Sequence, residues 1–161
     1  MRDEDLERLY AQHAGPLFSF LAYRTGDRSL AEDLLADTFE RVLRSRRRYD
    51  ARRGKEKTWI YSIALNLLRD RMRRGTVESR ALQTVRSGVR AYTTADLDAF
   101  EVRDELGRAL TRLASEEREA IALRFGADLT LAEIATVTGE KQTTVEGRVY
   151  RALSKLRDEL A

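Results

Sequence analysis

Cysteine is absent from the 161-residue chain. That excludes disulfides and thiolate metal sites, and it makes a reducing cytoplasm the expected compartment. Proline occurs once and histidine once, so little punctuates helical structure and histidine-based metal or acid–base chemistry has a single resource. Strand-like alternation is almost missing. No apolar run is long enough to span a membrane, so membrane insertion is not expected. The opening "MRDEDLERLY" is charged from its second residue and lacks the apolar centre of a signal peptide.

Charge and helix periodicity are abundant. Apolar residues make up 42% of the chain, enough to bury a core, and charged residues 35%, which suits small helical units with large exposed surfaces. The charge is unevenly distributed. Residues 1–40 hold 4 basic and 9 acidic side chains, residues 41–74 hold 13 and 3, and residues 75–161 hold 13 and 15. A basic block beside an acidic one implies two kinds of partner, a polyanion and something basic.

Leu6, Leu9, Tyr10 and His13 share one helical face. Gly15-Pro16 is expected to interrupt, with Pro16 starting a second helix that carries Leu17, Phe20 and Leu21. "SLAE" at 29–32 reads as a capping box for a helix running to about Arg46. A further helix is expected to turn Trp59, Ile60, Ile63, Ala64 and Leu67 inward and to end in "RMRRG". Residues 75–100, rich in Ser, Thr, Gly and Ala, read as a linker. Beyond it, Ser115 is a candidate cap, and "TLAE" at 130–133 and "TTVE" at 143–146 form two more capping boxes. The expected fold class is all-α. Two small helical domains, residues 1–74 and 101–161, are joined by a flexible linker at 75–100.

The stretch "TLAEIATVTGEKQTTVEGRVYRAL" has the form of a helix-turn-helix. Ala135 and Gly139 stand where the helices approach, and Ile134 and Val145 are placed to pack between them. On the last helix, Val145, Val149, Ala152, Leu153, Leu156 and Leu160 form one apolar stripe. Gly147, Tyr150, Arg151 and Ser154 then face away, with Arg148 and Lys155 on one flank and Glu146 and Arg157 on the other. Arginine can grip guanine edges, and flanking cations suit phosphates, so duplex DNA is the expected ligand.

The basic block mixes cations with Tyr49, Trp59 and Tyr61, a combination suited to single-stranded nucleic acid. Trp59 reads as core and Tyr61 as the stacking candidate. Asn66, Arg69, Asp70 and Arg73 lie off the expected buried face. Asp33, Asp37 and Glu40, at i, i+4 and i+7, make an acidic stripe that is either simply solvated or a dock for a basic partner. No nucleophile, phosphate-cradling glycine loop or metal-ligand spacing is present, so neither an enzyme nor a cofactor is expected.

Together, "HAGPLFSFL", "AEDLLADTFERV", "YDARRGKEKTWIYSIALNLLRDRMRR" and "LTRLASEEREAIALRFGADLTLAEIATVTGEKQTTVEGRVYRALSKLR" resemble a bacterial RNA polymerase sigma factor of the extracytoplasmic-function type, over nearly the whole chain. The resemblance implies that residues 1–74 dock on core RNA polymerase and open the minus-ten element of promoter DNA. It assigns polymerase binding to Asp33, Leu34, Asp37, Phe39 and Glu40. It assigns minus-ten contacts to Lys57, Tyr61, Asn66, Arg69 and Arg73, with Asn66 holding a flipped base, a step that costs roughly a few kcal/mol. Residues 101–161 would read the minus-thirty-five element through Thr144, Glu146, Gly147, Arg148, Tyr150, Arg151 and Lys155. An anti-sigma factor is a further partner that this family admits. Glu140 stands where the family usually has an apolar residue. The helix-turn-helix alone leaves a second reading open, a stand-alone transcriptional regulator.

Overall fold

In the computed structural model, which describes residues 2–75 and 100–160, the first helix, α1, runs through Asp3–Thr25 without a break. Three acids in its first turn oppose the helix dipole favourably, and Gly26 closes it in the left-handed conformation at φ 65°, its N–H bonding to the Ala22 carbonyl at 2.9 Å. The expected interruption at Gly15-Pro16 does not occur. Gln12 and Pro16 both lie on the exposed side, so the carbonyl that loses its partner to proline can be solvated. Burial of Leu9, Leu17, Phe20 and Leu21 on the other side keeps the helix continuous.

Helix α2 covers Arg28–Ser45. Its cap is Asp27, whose carboxylate accepts from the Leu30 N–H at 3.1 Å, not Ser29 as expected from "SLAE". Glu32 instead pairs with Arg28 at 3.7 Å. A short turn at Arg46–Arg48 and a basic loop lead into α3, Glu56–Arg74.

The inward face of α3 differs from the single stripe read in the sequence. Thr58, Ile60, Tyr61, Ala64, Leu65 and Leu68 are buried, whereas Trp59, Ile63 and Leu67 are only partly covered. The cause is that α3 packs on α1 and α2 and also on a helix of the second half, so it has more than one buried face.

The second half contains α4, Phe100–Thr111, and α5, Ser115–Ile121, followed by a wide turn at Ala122–Gly126. It continues with α6, Leu131–Thr138, and α7, Gln142–Leu160. The "TLAE" box forms as expected. Thr130 Oγ1 accepts from the Glu133 N–H at 3.1 Å, and Glu133 Oε1 accepts from the Thr130 N–H at 2.9 Å. The "TTVE" box does not. Glu146 Oε1 accepts from the Gln142 side chain at 3.2 Å instead. Val145, Val149, Ala152 and Leu156 are buried on α7, while Leu153 and Leu160, placed on the same stripe by spacing, are exposed.

The described residues are helical with no strand. Between the halves, one apolar cluster is continuous: Leu9 through Leu68 of the first join Leu123, Leu129, Ile134, Val137, Val145 and Val149 of the second. A smaller cluster of Ala109, Leu113, Ala152 and Leu156 fixes α4 against α7. Most of the segment read as a linker, residues 76–99, lies outside the described residues.

Candidate nucleic-acid interface

The helix-turn-helix is built from its turn outward. Gly139, at φ 72°, ends α6 in a conformation that a side chain would strain. Ile134 and Val145, each 1% exposed, lock the two helices together as the spacing predicted. This leaves Tyr150, 70% exposed, with Thr144, Glu146 and Arg151 on the open side of α7. Gly147 is partly covered because the Arg151 guanidinium lies back over it: a Cβ at 147 would stand 3.0 Å from Nη1. Side chains on a helix slope toward its N-terminus, so this i+4 approach is the expected direction.

The two flanking cations are engaged within the protein. Arg148 Nη1 donates to Glu140 Oε1 at 2.5 Å, and Lys155 Nζ donates to Glu117 Oε1 at 2.8 Å. Glu140 therefore ties the turn to the second turn of α7. The hydrogen bond from Arg148 holds the Glu140 carboxyl below its ordinary range despite some burial, and the same bond raises Arg148. Burial pushes the Glu117 carboxyl up, but the hydrogen bonds from Lys155 and the Ala114 N–H outweigh it and bring it down.

On the first half, the open side of α3 carries Asn66 and Arg73, both exposed. Arg73 also reaches Asp70 at 3.6 Å. Arg69 donates to Glu119 of α5 at 3.1 Å and to the Thr138 carbonyl at 3.5 Å. Lys57 donates to the Asp128 carbonyl at 3.4 Å. Thus two of the expected minus-ten cations contact the second half.

Tyr61 is corrected by the structure. It is 1% exposed, packs edge-on to Phe20 at 5.9 Å, and no base can reach its ring. Burial pushes its phenol up to about 12, and its hydroxyl has no hydrogen-bond partner. Tyr49 and Trp59, both partly buried, lie with ring centroids 4.9 Å apart, and the Tyr49 hydroxyl donates to the Gly54 carbonyl at 3.2 Å. Tyr49 lines an open cleft of about 540 Å³ together with Arg8, His13, Arg52, Lys55 and Lys57. His13 sits partly buried in that wall. Burial lowers its pKa, Lys57 and Arg8 lower it further, and Glu56 opposes them. The density of Arg and Lys between 46 and 57 was the available signal for this cleft.

The acidic stripe of α2 survives in part. Asp33, Asp37 and Glu40 are exposed, and Glu40 pairs with Arg44 at 2.5 Å. Leu34, expected on the docking surface, is 1% exposed and belongs to the core. Phe39 is half-buried and meets the exposed ring of Tyr10 at 5.0 Å. Among the described residues no cluster of His, Asp and Glu is arranged to hold a metal ion, and no helix is long and apolar enough to cross a membrane.

Residues 9–77 match the family described as Sigma-70 region 2, and residues 103–156 match Sigma-70, region 4. The chain is 30% identical to the ECF RNA polymerase sigma factor SigX of Bacillus subtilis, over 96% of this chain and 83% of that one. It is also 30% identical to the ECF RNA polymerase sigma factor BldN of Streptomyces coelicolor, covering 92% of this chain but only 58% of the relative. Its fold resembles that of the sigma factor RpoE from Bartonella quintana, solved in complex with the anti-sigma factor NepR. The TM-score is 0.73 at 23% identity, with 98% and 97% of the two chains covered. The chain belongs to the extracytoplasmic-function group of the sigma-70 family, a family of non-catalytic RNA polymerase subunits.

Proposed function

We propose that this chain binds core RNA polymerase and directs it to promoters, the first half engaging the minus-ten element as single strand and the second reading the minus-thirty-five element as duplex. The polymerase supplies the chemistry. The observation that carries the reading is the pairing, in family order, of a basic cleft that includes Tyr49 with a helix-turn-helix whose outer face is open. A stand-alone regulator needs only the second of these.

In this reading, Arg151 and Tyr150 address base edges and Glu146 accepts from a cytosine amino group. Asn66 holds an unstacked base, and Tyr49, which lines the cleft, offers the stacking surface first sought at Tyr61. Asp33, Asp37 and Glu40 form the charged part of the polymerase dock. An anti-sigma partner is part of the proposal, supported by the fold shared with a sigma factor solved with one. Run-off transcription with purified core polymerase on a promoter pool tests the whole reading. Promoter-selective transcripts that require this chain are expected, and their absence would refute it.

A further inference from the structure

Gly147 has no backbone reason to be glycine. It lies in the second turn of the 19-residue helix α7, and the described glycines with positive φ are Gly26 and Gly139. In a helix interior glycine is less favourable than alanine, because it loses more backbone freedom on folding. The reason must lie in the space around it. A Cβ at Gly15, Gly54, Gly75, Gly126 or Gly139 would meet nothing within 4 Å. A Cβ at Gly147 would stand 3.0 Å from Arg151 Nη1, 3.8 Å from Cζ and 3.9 Å from Nη2. The guanidinium lies across the notch that the missing side chain leaves in the helix surface.

Arg151 is also the cation of α7 that the fold leaves available. Arg148 donates to Glu140, Lys155 to Glu117 and Arg157 to Ser154. Among the described residues, Arg151 has no hydrogen bond or ion pair. Folding back over four residues carries its donors about 6 Å toward the helix N-terminus, at 1.5 Å per residue. That exceeds the rise of about 3.4 Å between stacked base pairs. In a helix-turn-helix, the N-terminal part of the recognition helix reaches base edges. The notch therefore brings the Arg151 donors back to the level of the second turn, although its Cα stands in the third.

We propose that Gly147 is a positioning residue for DNA readout: its missing side chain seats the Arg151 guanidinium and so selects the base pair that Arg151 addresses. This rests on the sigma reading above. Alanine at 147 would move the guanidinium by a few tenths of an ångström. A longer side chain would fill the seat. Methionine suits the purpose, because it favours helix and carries no hydrogen-bond donor for a base.

The decisive experiment uses the chain bound to core RNA polymerase and a promoter pool randomised through the minus-thirty-five element. Arg151→Ala identifies the base pair that Arg151 reads. At that base pair Gly147→Met is expected to lose about tenfold in preference with Arg151 intact, the factor of one bidentate guanine contact. Combining Gly147→Met with Arg151→Ala should cost no more than either change alone. No base pair that responds to Arg151→Ala, an unchanged preference in Gly147→Met, or losses that add would each overturn the seat. Gly147→Ala is expected to raise Tm by about 2–4 °C, since a flexible side chain is all that it displaces; a lower Tm would also overturn the seat. A wild-type complex that selects no upstream sequence would sink the sigma reading itself, whereas a selected sequence insensitive to residue 147 sinks only the seat.

Discussion

The pair between Glu140 and Arg148 sets two uses of one arginine against each other. Arg148 was read from the helix wheel as a phosphate contact, yet its guanidinium meets Glu140 at 2.5 Å, with only 23% and 26% of the two side chains exposed. At that shielding the pair sits between exposed pairs, worth about 0.2–1 kcal/mol, and buried ones, whose breaking costs about 3–5 kcal/mol. A coupling of about 1.5 kcal/mol follows, or a fall in Tm of about 4 °C for a chain of this size. A double-mutant cycle with Glu140→Gln and Arg148→Gln under urea unfolding isolates that term. Binding to a minus-thirty-five duplex supplies the second readout. Releasing Arg148 by Glu140→Gln is expected to tighten binding and to steepen its salt dependence by about one counterion. A coupling below about 0.5 kcal/mol would refute the staple. So would an Arg148→Gln chain that loses DNA affinity while keeping full stability.

The remaining expectations concern separate parts of the molecule. Tyr61→Phe removes a buried hydroxyl that has no partner, so stability should stay the same or rise by up to ~1 kcal/mol; a clear loss in thermal unfolding would mean that the hydroxyl is satisfied. Reversing Asp33 and Asp37 to lysine should abolish co-purification with core polymerase, and undiminished co-purification would remove the proposed dock. Arg151→Ala should weaken minus-thirty-five binding by roughly 1–3 kcal/mol and relax preference at one base pair, which competition with single-base variants measures. Glu133 is lowered chiefly by the Thr130 backbone N–H, and Glu140 by Arg148, while in Glu117 hydrogen bonds overcome burial. Each therefore adds stability that is complete above the ordinary value of 4.5 and is lost as pH falls through the depressed value. Helicity should drop in acid below about pH 4.5, and Glu133→Gln should flatten that dependence; an unchanged profile would contradict the assignment.

Features set by neighbours in sequence were readable beforehand. The turn at Gly139, the Thr130–Glu133 cap, the packing of Ile134 on Val145 and the outward face at Tyr150 and Arg151 all follow from spacings of three to four residues. Failures arose where distant contacts decide. Tyr61 was read as a stacking residue but is buried, because α3 is covered from more than one side and a wheel with one buried stripe cannot represent that; Trp59, read as core, packs against the core and is partly covered. Leu34 was placed on a docking surface although its neighbours on α1 and α3 bury it. Pro16 was read as a helix start because its cost is local, whereas the gain from burying Leu17, Phe20 and Leu21 is not. Asp27 displaced Ser29 as cap because a carboxylate one residue before the helix can reach the Leu30 N–H directly.

Charge was the hardest property to assign, and for a physical reason. A cation in the sequence advertises a phosphate contact equally well whether or not a carboxylate elsewhere in the fold has claimed it. Among the residues expected to touch DNA, Arg148 is held by Glu140, Lys155 by Glu117, Arg69 by Glu119, and Lys57 by a carbonyl of the second half. The first two pairs lie within one half, and those cations brace α7. The last two lie between the halves, where Arg69 and Lys57 help hold α3 against the second half. A cation's partner is therefore set by the oxygens that the fold brings to it, and the spacing of charges along the sequence does not record them.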